Sequence, residues 1–286
     1  VLSYQGILWS VSCPSTSFCM TADGSNTYTY DGSAWSAPMQ LTHDPDPNVG
    51  PALVSCTSAS FCLAVPRGRG GSSSWAWDGA TWTAHAVPTE AGFSDLSCVS
   101  PTFCLGTVAD YYAGDNRAYT FNGSGWSGGV PVNSHGWITG VSCATTSFCV
   151  IANEHGDVFV FNGTTWSAAS HLTDAEIYAV SCPSTTFCMA PDGRGVSHAY
   201  NGTAWSSQPL PAMGVNAVSC SSSAFCAARN GEAVMTFDGT SWGPSSTLER
   251  LDTSWTHGAI SCPAAKTCVV VDHAGQAFYT GAVTPG

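Results

Sequence analysis

The chain is poor in charge, and above all in positive charge. Only 9% of its 286 residues are charged; one lysine (Lys266) and six arginines stand against nineteen acids, for a formal net charge of -12. Such a surface has no footprint for a phosphate backbone, which excludes nucleic acid as a partner. Long apolar runs are missing too. No stretch approaches the roughly 18 residues that a membrane span needs, so membrane insertion is not expected. The first ten residues also lack the charged start and apolar run of a signal peptide. There is no H-E-x-x-H, no phosphate loop and no set of histidines at metal-ligand spacing, so neither a cofactor nor a metal is expected.

Cysteine, by contrast, is abundant, with fourteen residues. In a chain with so few charges this points to an oxidising compartment, because a reducing cytosol would leave the thiols open to mispairing. The protein is expected to be secreted and extracellular. Val1 is not an initiator methionine, as expected of a processed form or of an excerpt from a longer polypeptide.

The cysteines recur in seven C-x5-C pairs: Cys13 and Cys19, Cys56 and Cys62, Cys98 and Cys104, Cys143 and Cys149, Cys182 and Cys188, Cys220 and Cys226, Cys262 and Cys268. Successive pairs start 38 to 45 residues apart. Between them lies a second signature, YDGSAW at 30–35, WDGATW at 77–82, FNGSGW at 121–126, FNGTTW at 161–166, YNGTAW at 200–205 and FDGTSW at 237–242. Each unit contains four short strand patterns and no helical period. One strand ends in V-S-C, the next begins F-C, the third alternates aromatics as in TYTY, and the fourth starts at the Trp. The Asp-Gly and Asn-Gly pairs suit two-residue hairpin turns, whose central positions require positive φ. Four antiparallel strands in each of seven units give an all-β, seven-bladed β-propeller with one C-x5-C disulfide per blade. A linear β-solenoid fits less well, because its coils are usually shorter and lack two tight hairpins per repeat.

The whole chain, 1–286, reads as a single propeller domain. Its blades begin near residues 7, 50, 92, 137, 176, 214 and 256, and blade seven is closed by the two termini, using residues from 1–5 and 282–286. Neither the C-x5-C turn nor the Gly-to-Trp spacing ever varies. By contrast, the count from second Cys to Trp runs from 16 to 22, and from Trp to next Cys from 15 to 21. In an up-and-down blade those two variable connections emerge on one face. Binding residues concentrate in loops held on a rigid scaffold, so this face is the expected functional one.

The C-x5-C spacing is wide for zinc, and blades hold successive pairs far apart. No helix start is available to depress a redox thiol's pKa. Each pair is therefore expected to close the hairpin between the two inner strands of its blade. Closing a loop of about seven residues is worth on the order of 2 kcal/mol in the chain-entropy model. The six motif tryptophans, Trp35, Trp82, Trp126, Trp166, Trp205 and Trp242, recur at one position, which favours packing between blades over sugar platforms. D-G-x-x-W is similar to the Asp box of sialidases but one residue short, and that box is itself a structural turn. Asn122, Asn162 and Asn201 form N-G-[ST] sequons that hairpin chemistry already explains.

Aromatics outside the repeat are more informative: Trp9, Trp75, Trp77, Trp137, Trp255, Tyr111, Tyr112 and Tyr178, most in or beside variable loops. NSHGWIT at 133–139 and DTSWTHG at 252–258 each set a His within two residues of a Trp, just before an innermost strand. The expected ligand site is the channel mouth on the variable face, built from Trp137, Trp255, His135, His257 and Tyr178. Tyr111, Tyr112, Asp115 and Arg117 of blade three form a nearby wall, with Asp95, Glu176 and Asn216 at related positions. Aromatic planes beside a few polar groups suit sugar rings, although the same residues could simply plug the channel. A glycosidase would need two carboxylates facing one pocket. Asp44, Asp46, Glu90, Asp95, Asp174, Glu176 and Asp252 lie near the variable face, but nothing picks out a pair, and catalysis is not expected.

The S-C-P-S-T-x-F-C element followed by Y-[DN]-G-[ST]-x-W, repeated over nearly the whole chain, resembles secreted propeller domains of actinobacteria. In particular it resembles the lectin subunit of the umbrella toxin particles of Streptomyces. That resemblance implies a module that recognises a cell-surface glycan or cell-wall polymer of competitor bacteria, with toxin-particle subunits as partners. The matching residues are the structural ones, so no binding residue is carried over. Some such subunits also carry a trypsin-like domain; no Ser-His-Asp context of that kind appears in this sequence, so either that part lies outside this chain or the protein belongs to another branch. A protein-interaction platform is the non-lectin alternative.

Overall fold

The computed structural model describes all residues except 1, 4–6, 43–49, 68–70, 89–91, 110–115, 133–134, 232, 248–257, 273–274 and 282–286. The chain folds into seven four-stranded antiparallel sheets. Blade one comprises Ser10–Ser15, Phe18–Ala22, Asn26–Tyr30 and Met39–Gln40, and the next five blades repeat this up-and-down order. In blade seven Gly258–Ala264, Thr267–Asp272 and Gln276–Gly281 are joined by Leu2–Ser3 as outermost strand. Each innermost strand neighbours that of the next blade, and the seventh returns to the first. Among the described residues no helix is long and apolar enough to cross a membrane.

The seven disulfides join the cysteines of each C-x5-C pair, with Cα atoms 3.9–4.1 Å apart across the two innermost strands. Seven apolar clusters fill the gaps between successive blades. Leu53 and Leu63 of blade two, for instance, meet Phe93, Leu96 and Phe121 on the blade-three side, and Tyr28 and Val11 of blade one meet Val269 and Val271 of blade seven. The six motif tryptophans are half-buried. Each rests 5.1–5.5 Å, centroid to centroid, from the aromatic across its turn. Trp75 and Trp77, read above with the loop aromatics, are instead buried in strand Ser73–Trp77.

The serine of each S-C dipeptide has a role that the repeat alone does not disclose. Cys56 N–H donates to Ser12 Oγ, Cys98 to Ser55, Cys143 to Ser97, Cys182 to Ser142, Cys220 to Ser181, Cys262 to Ser219, and Cys13 closes the circle onto Ser261. All seven bonds measure 2.9–3.0 Å. An innermost strand faces the channel with an edge that no further strand pairs, so its N–H groups need side-chain acceptors.

The Asp-Gly and Asn-Gly turns differ from the expected two-residue type. Tyr30 bridges Trp35 across four residues, Asp31 N–H donates to Ala34 O, and only Gly32 has positive φ, at 94°. The Asp31 side chain accepts from Ser33 and Ala34 N–H, both at 2.8 Å. Asp78, Asn122, Asn162, Asn201 and Asp238 do the same in their blades. The side chain itself completes the turn, so a second positive φ is unnecessary. These donors hold Asp31 and Asp238 down at about 2.

Candidate functional site

Innermost strands run from the variable face toward the disulfide turns, so the residues ahead of each V-S-C line the upper channel. There they enclose a cavity of about 790 Å³ to which all seven blades contribute. Six of the seven residues four places before a first cysteine lie in its wall: Trp9, Ser94, Thr139, Tyr178, Asn216 and Gly258.

Ser94 Oγ is engaged with Thr107, and Thr139 Oγ1 donates to the carbonyls of Ala152 and Ile177. Asn216 differs, because its Oδ1 is shut off from solvent with no hydrogen-bond partner among the described residues. Trp9 carries the guanidinium of Arg67 4.7 Å above its ring, a cation–π contact. Arg67 follows strand Phe61–Pro66 and is the one basic side chain among the described residues lining the cavity. Its side chain is accessible to the cavity yet ringed by protein. This crowding lowers its pKa, with Asp95 opposing the shift.

Asp95 is the one carboxylate among the described lining residues. It accepts Leu96 N–H at 2.8 Å and, across the blade boundary, Val141 N–H at 2.7 Å. Ser10 occupies the same place in blade one, accepting Val54 N–H at 2.8 Å. Burial pushes the Asp95 carboxyl up to about 6, against the pull of its two N–H donors and of Arg67. A lone carboxylate does not supply the opposed pair of a glycosidase. Among the described residues no group of three or more His, Cys, Asp or Glu is arranged to hold a metal ion.

Trp137 and Tyr178 both line the cavity. Trp137 is 49% exposed. It stands on a loop fixed from below by two buried asparagines, Asn116 Nδ2 donating to Gly136 O at 2.7 Å and Asn153 Nδ2 to His135 O at 3.0 Å. Glu154 Oε1 accepts the Trp137 N–H at 3.0 Å. The His135 side chain is exposed and outside the cavity wall, as is that of Glu176. Arg117 lies on the third strand of blade three, donates to Gly129 O at 3.0 Å and does not line the cavity. Tyr111, Tyr112, Asp115, Trp255 and His257 fall outside the described residues. Arg67 is the addition that the motifs did not single out. Its signal was its rarity, a cation on the variable face of a chain with seven in all.

The large apolar side chains most open to solvent among the described residues are Met213, Trp137, Val130 and Ile7. All four sit on connections or strand ends of the variable face.

No profile of a known protein family matches this chain, and no curated protein matches it. Among solved structures, one described as "YCF48 bound to D1 peptide" matches with a TM-score of 0.70 at 11% identity, over 99% of this chain and 94% of that one. At that identity the likeness is one of fold: the chain is built as a β-propeller.

Proposed function

We propose that the protein is a secreted recognition module that binds a cell-surface glycan or cell-wall polymer at the channel mouth of its variable face. The observation that carries this reading is the cavity itself, where Trp9, Trp137 and Tyr178 stand beside Arg67, Asp95 and Asn216. Aromatic faces with a few fixed polar groups match the C–H face and rim hydroxyls of a sugar ring. The seven disulfides support an extracellular setting. The repeat's resemblance to propeller lectins supports a place as the targeting subunit of a bacterial toxin complex.

One finding favours a second reading, a protein-interaction platform. The similar propeller is described with a bound peptide, and apolar side chains are exposed on the same face here. Binding of the full chain to a glycan array and to isolated cell walls, beside Trp137→Ala, separates the two. The glycan reading expects saturable cell-wall binding that the variant weakens tenfold or more. Absence of glycan binding, with capture of a defined peptide that Trp137→Ala abolishes, would instead establish the platform.

A further inference from the structure

One feature of the channel wall has hydrogen-bonding capacity that the protein leaves unused. The Arg67 guanidinium, from blade two, makes no hydrogen bond among the described residues; it stacks on Trp9 and feels the charge of Asp95. Its N–H donors and its positive charge are therefore left to the cavity that it lines. Polar groups nearby are spent or occluded. The hydroxyls of Ser94 and Thr139 are consumed inside the protein, and Asn216 Oδ1 is shut off from solvent. The Asp95 carboxylate is tied to two backbone N–H groups, so it tempers Arg67 without capping it.

A ligand that satisfies this wall must bring acceptors carrying negative charge. Neutral sugars supply no such charge. We propose that the channel mouth takes an acidic saccharide or polyol unit, its anionic group against the Arg67 guanidinium. Trp137 covers the unit from the rim. This inference rests on the reading of the channel mouth as a glycan site and narrows its ligand class. The rest of the molecule disfavours polyanions, because a net charge of -12 repels them. Affinity for one must come from a local cation.

The anion can be a carboxylate or a phosphate, and the test separates them. The full chain is titrated calorimetrically with oligogalacturonate, with a glycerol phosphate polymer and with neutral N-acetylglucosamine oligomers, beside Arg67→Gln and Arg67→Lys. The expected result is binding of one acidic probe at least tenfold tighter than the neutral one. Arg67→Gln should erase that preference. Arg67→Lys, which keeps the charge, should keep most of it. A fold defect in Arg67→Gln would show as a lowered melting temperature, and Arg67→Met, which keeps an apolar stem over Trp9, then replaces it. Neutral oligomers bound as tightly as acidic ones, with Arg67→Gln silent, would overturn the acidic ligand and leave a glycan site standing. No saccharide bound at all would overturn both.

Discussion

Trp126 and Trp242 each donate an indole N–H to a serine of the preceding blade, Trp126 Nε1 to Ser74 Oγ at 2.9 Å and Trp242 Nε1 to Ser197 Oγ at 2.8 Å. Each serine in turn donates to an outer-strand carbonyl, of His85 and Gln208, both at 3.3 Å. The equivalent residue in blade three is Ala118, three places before Phe121, which pairs with Cys104 as Trp77 pairs with Cys62. Trp166 packs against the Ala118 cluster, and its Nε1 is buried with no partner among the described residues. Ala118→Ser should supply the missing acceptor while donating to the carbonyl of Val130, the residue paired with position 118. One new neutral hydrogen bond is worth about 1 kcal/mol. With an unfolding entropy of about 2.1 cal/mol/K per residue, that raises the melting temperature of a chain this size by about 2 °C. Ser74→Ala should do the reverse, leaving Trp126 Nε1 unpaired at a cost of about 1–3 kcal/mol, or roughly 2–5 °C. Thermal unfolding followed by tryptophan fluorescence, with disulfides intact, measures both. Thr27 holds the same position ahead of Trp82, but its hydroxyl leans toward Met39 O at 3.5 Å and the Trp82 indole stays unpaired. A hydroxyl at this position is therefore insufficient by itself; threonine is stiff at χ1, and serine, which meets the indole in both blades where the bond forms, is the residue to introduce. A lowered midpoint for Ala118→Ser, or a silent Ser74→Ala, would refute the reasoning.

Ser55→Ala should deprive Cys98 N–H of its acceptor and lower the melting temperature by about 2 °C, for a loss near 1 kcal/mol; no change would show that the serine circle is not a structural tie. Asp95, held up at about 6, keeps a proton across roughly pH 4 to 6 that an unfolded chain, with a carboxyl near 3.9, has already released. Its contribution to stability therefore falls as pH rises through that window and is flat below it. Asp95→Ser copies Ser10, which serves the equivalent N–H. The variant should lose about 1–2 kcal/mol less stability than the parent between pH 4 and 7, after allowance for solvent screening, and parallel pH profiles would refute this.

The fold was legible because a repeat seven copies long displays its own register: paired cysteines mark the inner hairpin, and Gly-x-x-Trp marks the outer one. The turn chemistry was misjudged. A dipeptide such as Asp31-Gly32 suggests two positive φ angles, whereas the Asp31 carboxylate binds the next turn's N–H groups and leaves the unusual φ to glycine alone. The serine circle was hidden for a different reason. Each bond joins equivalent positions 39 to 46 residues apart, and the closing one spans 248, so no local pattern reveals it. The site was half legible. Trp137 and Tyr178 were found as aromatics standing outside the repeat, whereas Arg67 lies in a loop of variable length that no periodicity aligns.

Such a chain samples each scaffold position seven times, and this separates structure from function more sharply than residue type does. The residue just before each first cysteine is serine in all seven blades, and in all seven it accepts the next blade's N–H. Three residues upstream the position holds Trp9, Ala52, Ser94, Thr139, Tyr178, Asn216 and Gly258, seven different side chains on one backbone position. Because the serine circle fixes the strand edges below, most of this upper ring is relieved of holding blades together, Thr139 with its bond to the Ile177 carbonyl excepted, and its chemistry is free to differ from blade to blade. A ligand meeting that ring encounters no sevenfold symmetry. It meets Trp9 and Tyr178 among unlike neighbours about the channel, which argues for a single asymmetric site at the mouth rather than seven equivalent ones between blades.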